Sequence, residues 1–188
     1  MNDGREPAGR ALVTGAGARL GQAMAIALAE RGYDVAVHYA GSEEGAAETV
    51  LLCEARGVRA VALQADLLDL DETLALVPRA VAALGGPLTV LINNASIFEY
   101  DRIATATPES WDRHINSNLR APFFLTQAFA DQAPEAGSDG EPLARGLVVN
   151  LLDQRVLKLT PAFMTYTIAK MGLWAFTRTA AQALAPAI

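Results

Sequence analysis

The sequence predicts an α/β fold: a doubly wound parallel sheet covered by helices on both faces, in one domain. Three observations predict it. Short apolar runs alternate along the chain with longer stretches of helical apolar spacing. The short runs are apolar at successive positions, as strands buried on both faces are. At 188 residues the chain is long enough for one domain with a substantial core and too short for two ordinary ones.

The elements follow in order. Ala11, Leu12 and Val13 read as the first strand. Leu20, Met24 and Leu28 recur every fourth residue, a helical spacing, and Gly32 fits as a terminator. Val35 to Val37 make a second strand, residues 46–56 a helix closed by Gly57, and residues 60–63 a third strand. Residues 70–84 are helical and end at Gly85, Gly86 and Pro87; Val90 to Ile92 make a fourth strand. Thr107 as a cap and Pro108 in the first turn open a helix that carries Trp111 and Ile115 and extends toward Phe124 and Ala128. Residues 132–145, rich in Gly, Pro and acidic side chains, read as an exposed loop. Leu147 to Val149 make a fifth strand and residues 164–184 the last helix. Right-handed crossovers between such strands produce the doubly wound order.

Composition narrows the function classes. Hydrophobic residues make up 52% of the chain and charged ones 19%, the profile of a globular protein. The net charge is -6 and no basic run stands out, so nucleic acid is not an expected partner. No apolar run approaches the roughly 20 residues that span a bilayer, so no membrane partner is expected either. Residues 1–10 are polar, lack an apolar signal region and are expected to form a mobile tail ahead of a single domain over 11–188. A cytoplasmic location is the expectation. The single cysteine, Cys53, permits no disulfide within the chain and reads as a small core residue. No metal site is expected.

The first strand runs into Thr14, Gly15, Ala16, Gly17, Ala18, Arg19, Leu20, Gly21. A glycine-rich turn here lets backbone approach a pyrophosphate at the positive end of the next helix, although small residues also serve plain tight turns. The segment resembles the TGxxxGxG turn of the short-chain dehydrogenase/reductase family. Arg19 stands where that family has its middle glycine, a departure that resembles the pteridine reductase branch. The resemblance runs from about Leu12 to the C-terminus and implies a Rossmann-type domain. It implies Gly15, Gly17, Arg19, Leu20 and Gly21 as cofactor-binding residues, with Arg19 holding phosphate by charge-assisted contacts and reaching substrate. The rival reading of Arg19 is a solvated surface side chain.

The second strand leads into His38, Tyr39, Ala40, Gly41, Ser42. A carboxylate here would bind the ribose 2′-hydroxyl of NAD; none is present, which favours NADP(H). His38 and Ser42 are candidate neutral donors to the 2′-phosphate, whereas Glu43 and Glu44 are unfavourable unless they point away. His38 also reads as a half-buried strand residue. Asp66 and Leu67 follow the third strand; the resemblance implies that Asp66 accepts from the adenine amine, and a helix cap is the competing reading.

The remaining candidates gather after the fourth and fifth strands. Asn93, Asn94, Ala95, Ser96 match the NNAG turn of the family, with Ser96 in place of glycine. The resemblance implies Asn94, Ala95 and Ser96 along the cofactor channel, Ser96 at the substrate, and Phe98 stacking on a planar ring. Phe98 packed under a loop is the alternative. Asn118 matches the catalytic asparagine, with Asn116 as competitor. Tyr166 and Lys170, four apart on one helix face, are the strongest signal. A free tyrosine has a pKa near ~10, and a nearby ammonium is expected to lower it toward working pH. The resemblance implies that Lys170 also binds the nicotinamide ribose. Asp153 stands where the general family has serine, as in pteridine reductases; it can relay a proton through Tyr166 and is expected to raise the tyrosine pKa while Lys170 lowers it. A turn-capping Asp153 is the rival.

Together these imply an oxidoreductase that takes hydride from NADPH to reduce a pterin or dihydrofolate-type substrate, through Asp153, Tyr166, Lys170 and Asn118. The alternatives are a general carbonyl or 3-oxoacyl reductase, and a non-catalytic NADP-binding regulator. Residues 109–131 and 164–184 are apolar on more than one face, and the resemblance implies a homo-oligomer, a tetramer, built on them. Family members continue beyond a segment like 184–188 into a sixth strand, a substrate-covering loop and a seventh strand. The expectation is therefore a C-terminally incomplete sheet and pocket.

Overall fold

A computed structural model describes residues 6–188. Five strands form one parallel sheet. They are β1 (Gly9–Val13), β2 (Tyr33–Tyr39), β3 (Ala60–Gln64), β4 (Val90–Asn93) and, after a short hairpin of β5 (Gly137–Ser138) and β6 (Pro142–Leu143), β7 (Leu147–Asn150). The order is β3-β2-β1-β4-β7. The helices are α1 (Arg19–Ala29), α2 (Glu43–Glu54), α3 (Leu70–Leu84), α4 (Pro108–Ile115), α5 (Ala121–Gln132) and α6 (Met164–Leu184). The strand order reverses between β1 and β4, and ligands of open α/β sheets bind at the carboxyl ends of strands at such a point.

Alternation of side chains across the sheet divides the core in two. Leu12 and Leu91 face Leu76, Leu84, Leu125 and Phe129, beneath α3 and α5. Ala11, Val13, Val35, Val37 and Ile92 face Ala25, Ala46 and Cys53, beneath α1 and α2. Both faces are covered, so the strands are continuously apolar in sequence. Cys53 is buried, and burial pushes its thiol up to about 11, in keeping with a core residue.

Local signals set most element ends. The Asp69 side chain caps α3 by accepting from the Glu72 N–H at 3.0 Å, and Gly85 ends that helix in the left-handed region at φ 75. Thr107 and Ser110 form a reciprocal capping box ahead of α4, with Pro108 in its first turn. The single helix expected from Pro108 onward is interrupted by a π-helical turn, Asn116–Arg120. The second helix starts earlier than the expected residue 46, at Glu43, where Glu43 and Glu44 suit the positive end of α2. The expected tail is shorter than ten residues: residues 1–5 lie outside those described, and Gly9 and Arg10 already pair with Tyr33 and Asp34 in β1–β2. The loop over 132–145 holds the β5–β6 hairpin. Among the described residues no helix is long and apolar enough to cross a membrane.

Candidate active site

A cleft of about 870 Å³ opens at the carboxyl ends of the strands, between the turn after β1, the segment after β4 and the N-terminal half of α6. Gly15, Arg19, Leu20 and Gly21 form one wall. Gly15 has φ 62, and a Cβ on Gly21 would lie 2.1 Å from the Gly15 carbonyl oxygen, so the turn closes on α1 only with glycine there. The first turn of α1, the positive end of the helix, thereby lines the cleft through Arg19, Leu20 and Gly21. Arg19 is itself left-handed, at φ 48, where a glycine would sit without strain. A side chain is retained at about 1 kcal/mol of backbone cost, and it lines the cleft.

Three expected cofactor contacts are placed otherwise. Gly17 does not line the cleft; it is buried against α2, where a Cβ would meet the Ser42 carbonyl at 3.0 Å. Its glycine is explained by packing. Ser42 stands at the exposed N-cap position of α2, without a side-chain capping bond, outside the cleft lining. His38 reaches the cleft wall, but its ring is buried with both nitrogens engaged. The Gly15 N–H donates to Nδ1 at 3.0 Å, so Nε2 carries the proton and donates to the Ala65 carbonyl at 3.0 Å. Burial lowers the imidazole to about 4, opposed only in part by that carbonyl. His38 is thus a neutral strut beneath the turn and has no free donor for a 2′-phosphate.

Asp66 and Leu67 line the far end of the cleft. Asp66 Oδ1 accepts from the Leu68 N–H at 2.9 Å, and the helix cap is Asp69, so the capping alternative for Asp66 does not hold. Glu43 and Glu44 are exposed on α2 and do not line the cleft.

The segment after β4 is pinned from both sides. Thr14 Oγ1 accepts from the Asn94 and Ala95 N–H groups at 2.9 and 3.0 Å, and Asn94 Nδ2 donates to the Thr14 carbonyl at 2.8 Å. Asn118, fully buried in the π-helical turn, brackets Ile97: Oδ1 accepts from its N–H at 2.9 Å and Nδ2 donates to its carbonyl at 2.8 Å. The Asn118 side chain therefore positions the backbone beside Ser96 and Phe98; it does not itself line the cleft. His114, also buried, accepts from the Glu99 N–H at 3.1 Å and bonds Thr165 at the head of α6 at 2.7 Å.

Asp153, Tyr166 and Lys170 converge on the cleft. The Tyr166 hydroxyl donates to Asp153 Oδ2 at 3.2 Å, and Lys170 Nζ donates to the Leu151 carbonyl at 2.8 Å. The expected lowering of the tyrosine by Lys170 is not what the geometry gives. Burial and the adjoining Asp153 carboxylate push Tyr166 up to about 12, a phenol that keeps its proton. Burial lowers Lys170 to about 8, with Asp153 opposing. Burial alone would raise Asp153, but the Arg155 N–H, the Tyr166 hydroxyl and the Arg155 guanidinium together hold it below the usual carboxylate range. Asp153 is also the cap of the short 3₁₀ turn Gln154–Val156, so the capping and site readings coexist.

Sequence reasoning missed two residues here. Phe163 stacks on Phe98 with ring centroids 4.2 Å apart, and Phe98 meets the Tyr166 ring edge-on at 4.8 Å. Arg155 pairs with Asp153 at 3.2 Å and lies over both Phe163 and Phe98, at 4.8 and 5.3 Å from their centroids. The only signal for Arg155 was a cation two residues beyond Asp153. Among the described residues no group of three or more His, Cys, Asp or Glu is placed to hold a metal ion.

A glycine-rich turn at the sheet's switch point and a Tyr166–Lys170 pair one turn apart on α6, both lining one cleft, define a dinucleotide-dependent oxidoreductase class. The short chain dehydrogenase family model matches residues 10–188. The chain is 36% identical over 175 residues to the 3-oxoacyl-[acyl-carrier-protein] reductase FabG of Staphylococcus aureus, covering 93% of this chain and 68% of that one. Among solved structures, FolM alternative dihydrofolate reductase 1 from Brucella canis, complexed with NADP, superposes with a TM-score of 0.86 at 38% identity, over 96% of this chain and 68% of that one. A blue fluorescent protein from a metagenomic library, in complex with NADPH, gives 0.86 at 31% identity over 95% and 69%. The chain belongs to the short-chain dehydrogenase/reductase family.

Proposed function

We propose that the protein is an NADPH-dependent reductase acting on a pterin or dihydrofolate-type ring, with Tyr166 as the proton donor. The observation that carries this reading is the Tyr166 hydroxyl held on Asp153 at 3.2 Å, with the Phe98 ring edge-on to the tyrosine at 4.8 Å. A carboxylate beside the donor suits a nitrogen-rich ring that gains a proton at nitrogen, and Phe98, 52% exposed, offers an apolar ring to a planar substrate. The similarity to FolM supports the same reading.

The cofactor is NADP(H). The residues present fit it: the glycine turn admits a pyrophosphate, Arg19 supplies positive charge, and residues 38–42 carry no carboxylate. NADP and NADPH in the FolM and blue fluorescent protein structures support the choice. When bound, the reduced cofactor supplies the hydride. Tyr166 delivers the proton from its hydroxyl, and Asp153 orients that hydroxyl and relays its replacement. Lys170, inside the cleft, binds ribose hydroxyls. Asn118 fixes the backbone that carries Ser96 and Phe98. Arg19 holds phosphate and borders the substrate.

The 36% identity to FabG favours a second reading, reduction of a 3-oxoacyl thioester. The two separate in an NADPH-oxidation screen of a dihydropterin, dihydrofolate and a 3-oxoacyl thioester, run with Tyr166→Phe beside the parent. The expected result is oxidation with the pterin-type rings, reduced about 10²- to 10⁴-fold by the substitution while NADPH binding persists. Turnover with the thioester alone supports the second reading. NADPH binding without any turnover supports a regulator, and turnover that survives Tyr166→Phe refutes the proposed chemistry. A cytoplasmic homotetramer completes the proposal. Exposed Trp111, Phe123 and Ile168 on α4, α5 and α6 support the assembly, which sedimentation tests.

A further inference from the structure

We propose that Arg155 is a positioning residue that acts through Asp153, keeping it an ionised acceptor for the Tyr166 hydroxyl. The inference rests on the proton-donor reading of Tyr166 given above and adds to it a residue that touches neither the cleft nor, by that reading, the substrate.

The geometry is specific. The Arg155 backbone N–H donates to Asp153 Oδ1 at 2.8 Å, and its Nη1 donates to the same oxygen at 3.2 Å and to Oδ2 at 3.4 Å. Oδ2 is the oxygen that accepts from Tyr166. One carboxylate oxygen is therefore committed to Arg155, and the other is divided between the guanidinium and the phenol. The pair is largely withdrawn from water, with side-chain exposures of 18% and 22%, so solvent screens it weakly. The guanidinium has a fixed seat: it lies 4.8 Å from the Phe163 ring centroid and 5.3 Å from that of Phe98, and its Nε is buried without a hydrogen-bond partner among the described residues. Aromatic faces and Asp153, rather than a full set of hydrogen bonds, hold it.

The chemistry gives this seat a purpose. Partial withdrawal from water favours the protonated form of a carboxylate, and the Arg155 guanidinium opposes that at Asp153 together with the Arg155 N–H and the Tyr166 hydroxyl. Protonated, Asp153 is a weaker acceptor for Tyr166 and can itself donate to it, so the hydroxyl loses its single orientation. The other titratable groups facing Asp153 are Tyr166 and Lys170, both from α6, and Lys170 spends a hydrogen bond on the Leu151 carbonyl. Ser96 and Phe98, from the segment after β4, do not titrate. Arg155 is the cation in direct contact. It stands two residues from Asp153, which itself replaces the serine expected of the general family. The two residues act as one unit.

The test compares Arg155→Met, Arg155→Lys, Asp153→Ser and the Asp153→Ser/Arg155→Met double variant. The Asp153 side-chain carboxyl is followed by carbon NMR in the cofactor-free protein, with Asp153→Asn identifying its signal, beside the pH profile of kcat/KM. Arg155→Met is expected to move the Asp153 titration and the acidic limb upward together, by about one pH unit or more. Arg155→Lys restores most of that shift. In the Asp153→Ser background, Arg155→Met leaves the acidic limb in place. An Asp153 titration unmoved in Arg155→Met, or a Lys variant that behaves like Met, overturns the inference. If Tyr166→Phe retains turnover, the proton-donor reading fails; the NMR titration still reports whether Arg155 sets the Asp153 charge.

Discussion

The Tyr166 hydroxyl and Asp153 Oδ2 lie 3.2 Å apart, on residues thirteen apart in sequence that both line the cleft. This contact adds to burial in making the tyrosine a reluctant acid. Burial comes first and the carboxylate second, and together they push the phenol up to about 12. Replacing Asp153 with Asn removes the charge and leaves the burial. Tyr166 is then expected to titrate about one unit lower or more. Ultraviolet titration with Tyr166→Phe as the blank isolates its signal. Tyr166 ionising alongside ordinary tyrosines in the parent protein would count against the arrangement.

Lys170 is a stability liability kept for its place in the cleft. It is 3% exposed, and burial lowers its ammonium from 10.5 to about 8. Because the folded value lies below the unfolded one, the folded chain holds fewer protons between those two values, and its stability rises with pH across that window. Below the window the full penalty remains, so Lys170→Met is expected to stabilise the cofactor-free protein by about 1–3 kcal/mol near neutral pH. The gain should shrink toward pH 10.5, where the parent has shed the charge. Urea unfolding at neutral and alkaline pH checks both points, and turnover should be lost in the same variant.

His38 sets an acid limit. Its folded value of about 4 lies below the ordinary 6.5, so its contribution is complete above 6.5 and is lost as pH falls toward 4. The whole loss amounts to about 3 kcal/mol. Replacing His38 with Gln is expected to destabilise the protein near neutral pH by about 2 kcal/mol, through the two buried hydrogen bonds, and to flatten the acid dependence. Unfolding midpoints measured across that range would settle it; an equally steep acid slope in the variant would rule His38 out.

Arg19 exchanges backbone comfort for charge. Arg19→Gly relieves the left-handed strain at φ 48 and is expected to hold stability within about 1 kcal/mol of the parent. NADPH affinity should fall about 10-fold or more, with NADH affected less, because a guanidinium contact to phosphate is lost. Calorimetric titration of both cofactors measures the difference. Unchanged NADPH binding would return Arg19 to the status of a solvated side chain.

Much of the fold was legible because its signals are short-range. The continuous apolar strands, the Thr107–Pro108 start of α4, the Gly85 stop of α3 and the limits of α6 each depend on a few neighbouring residues. The Tyr166–Lys170 pair was legible for the same reason, since one helical turn separates the two. The π-helical turn at Asn116–Arg120 had no such signal, and it buries Asn118 against Ile97 rather than opening it to the cleft.

The sequence by itself determined the doubly wound sheet, the glycine turn, the placement of Tyr166 with Lys170 and membership of an oxidoreductase family. Tertiary structure decided what each polar group does. It closed His38 between Gly15 and Ala65, turned Gly17 toward α2, and let burial and Asp153 raise the tyrosine. It also seated Arg155 on two aromatic rings beside Asp153. The physical reason is range. Periodicity, caps and turns are set within a few residues, whereas desolvation and partner choice are set by whichever distant segments the packed sheet brings together.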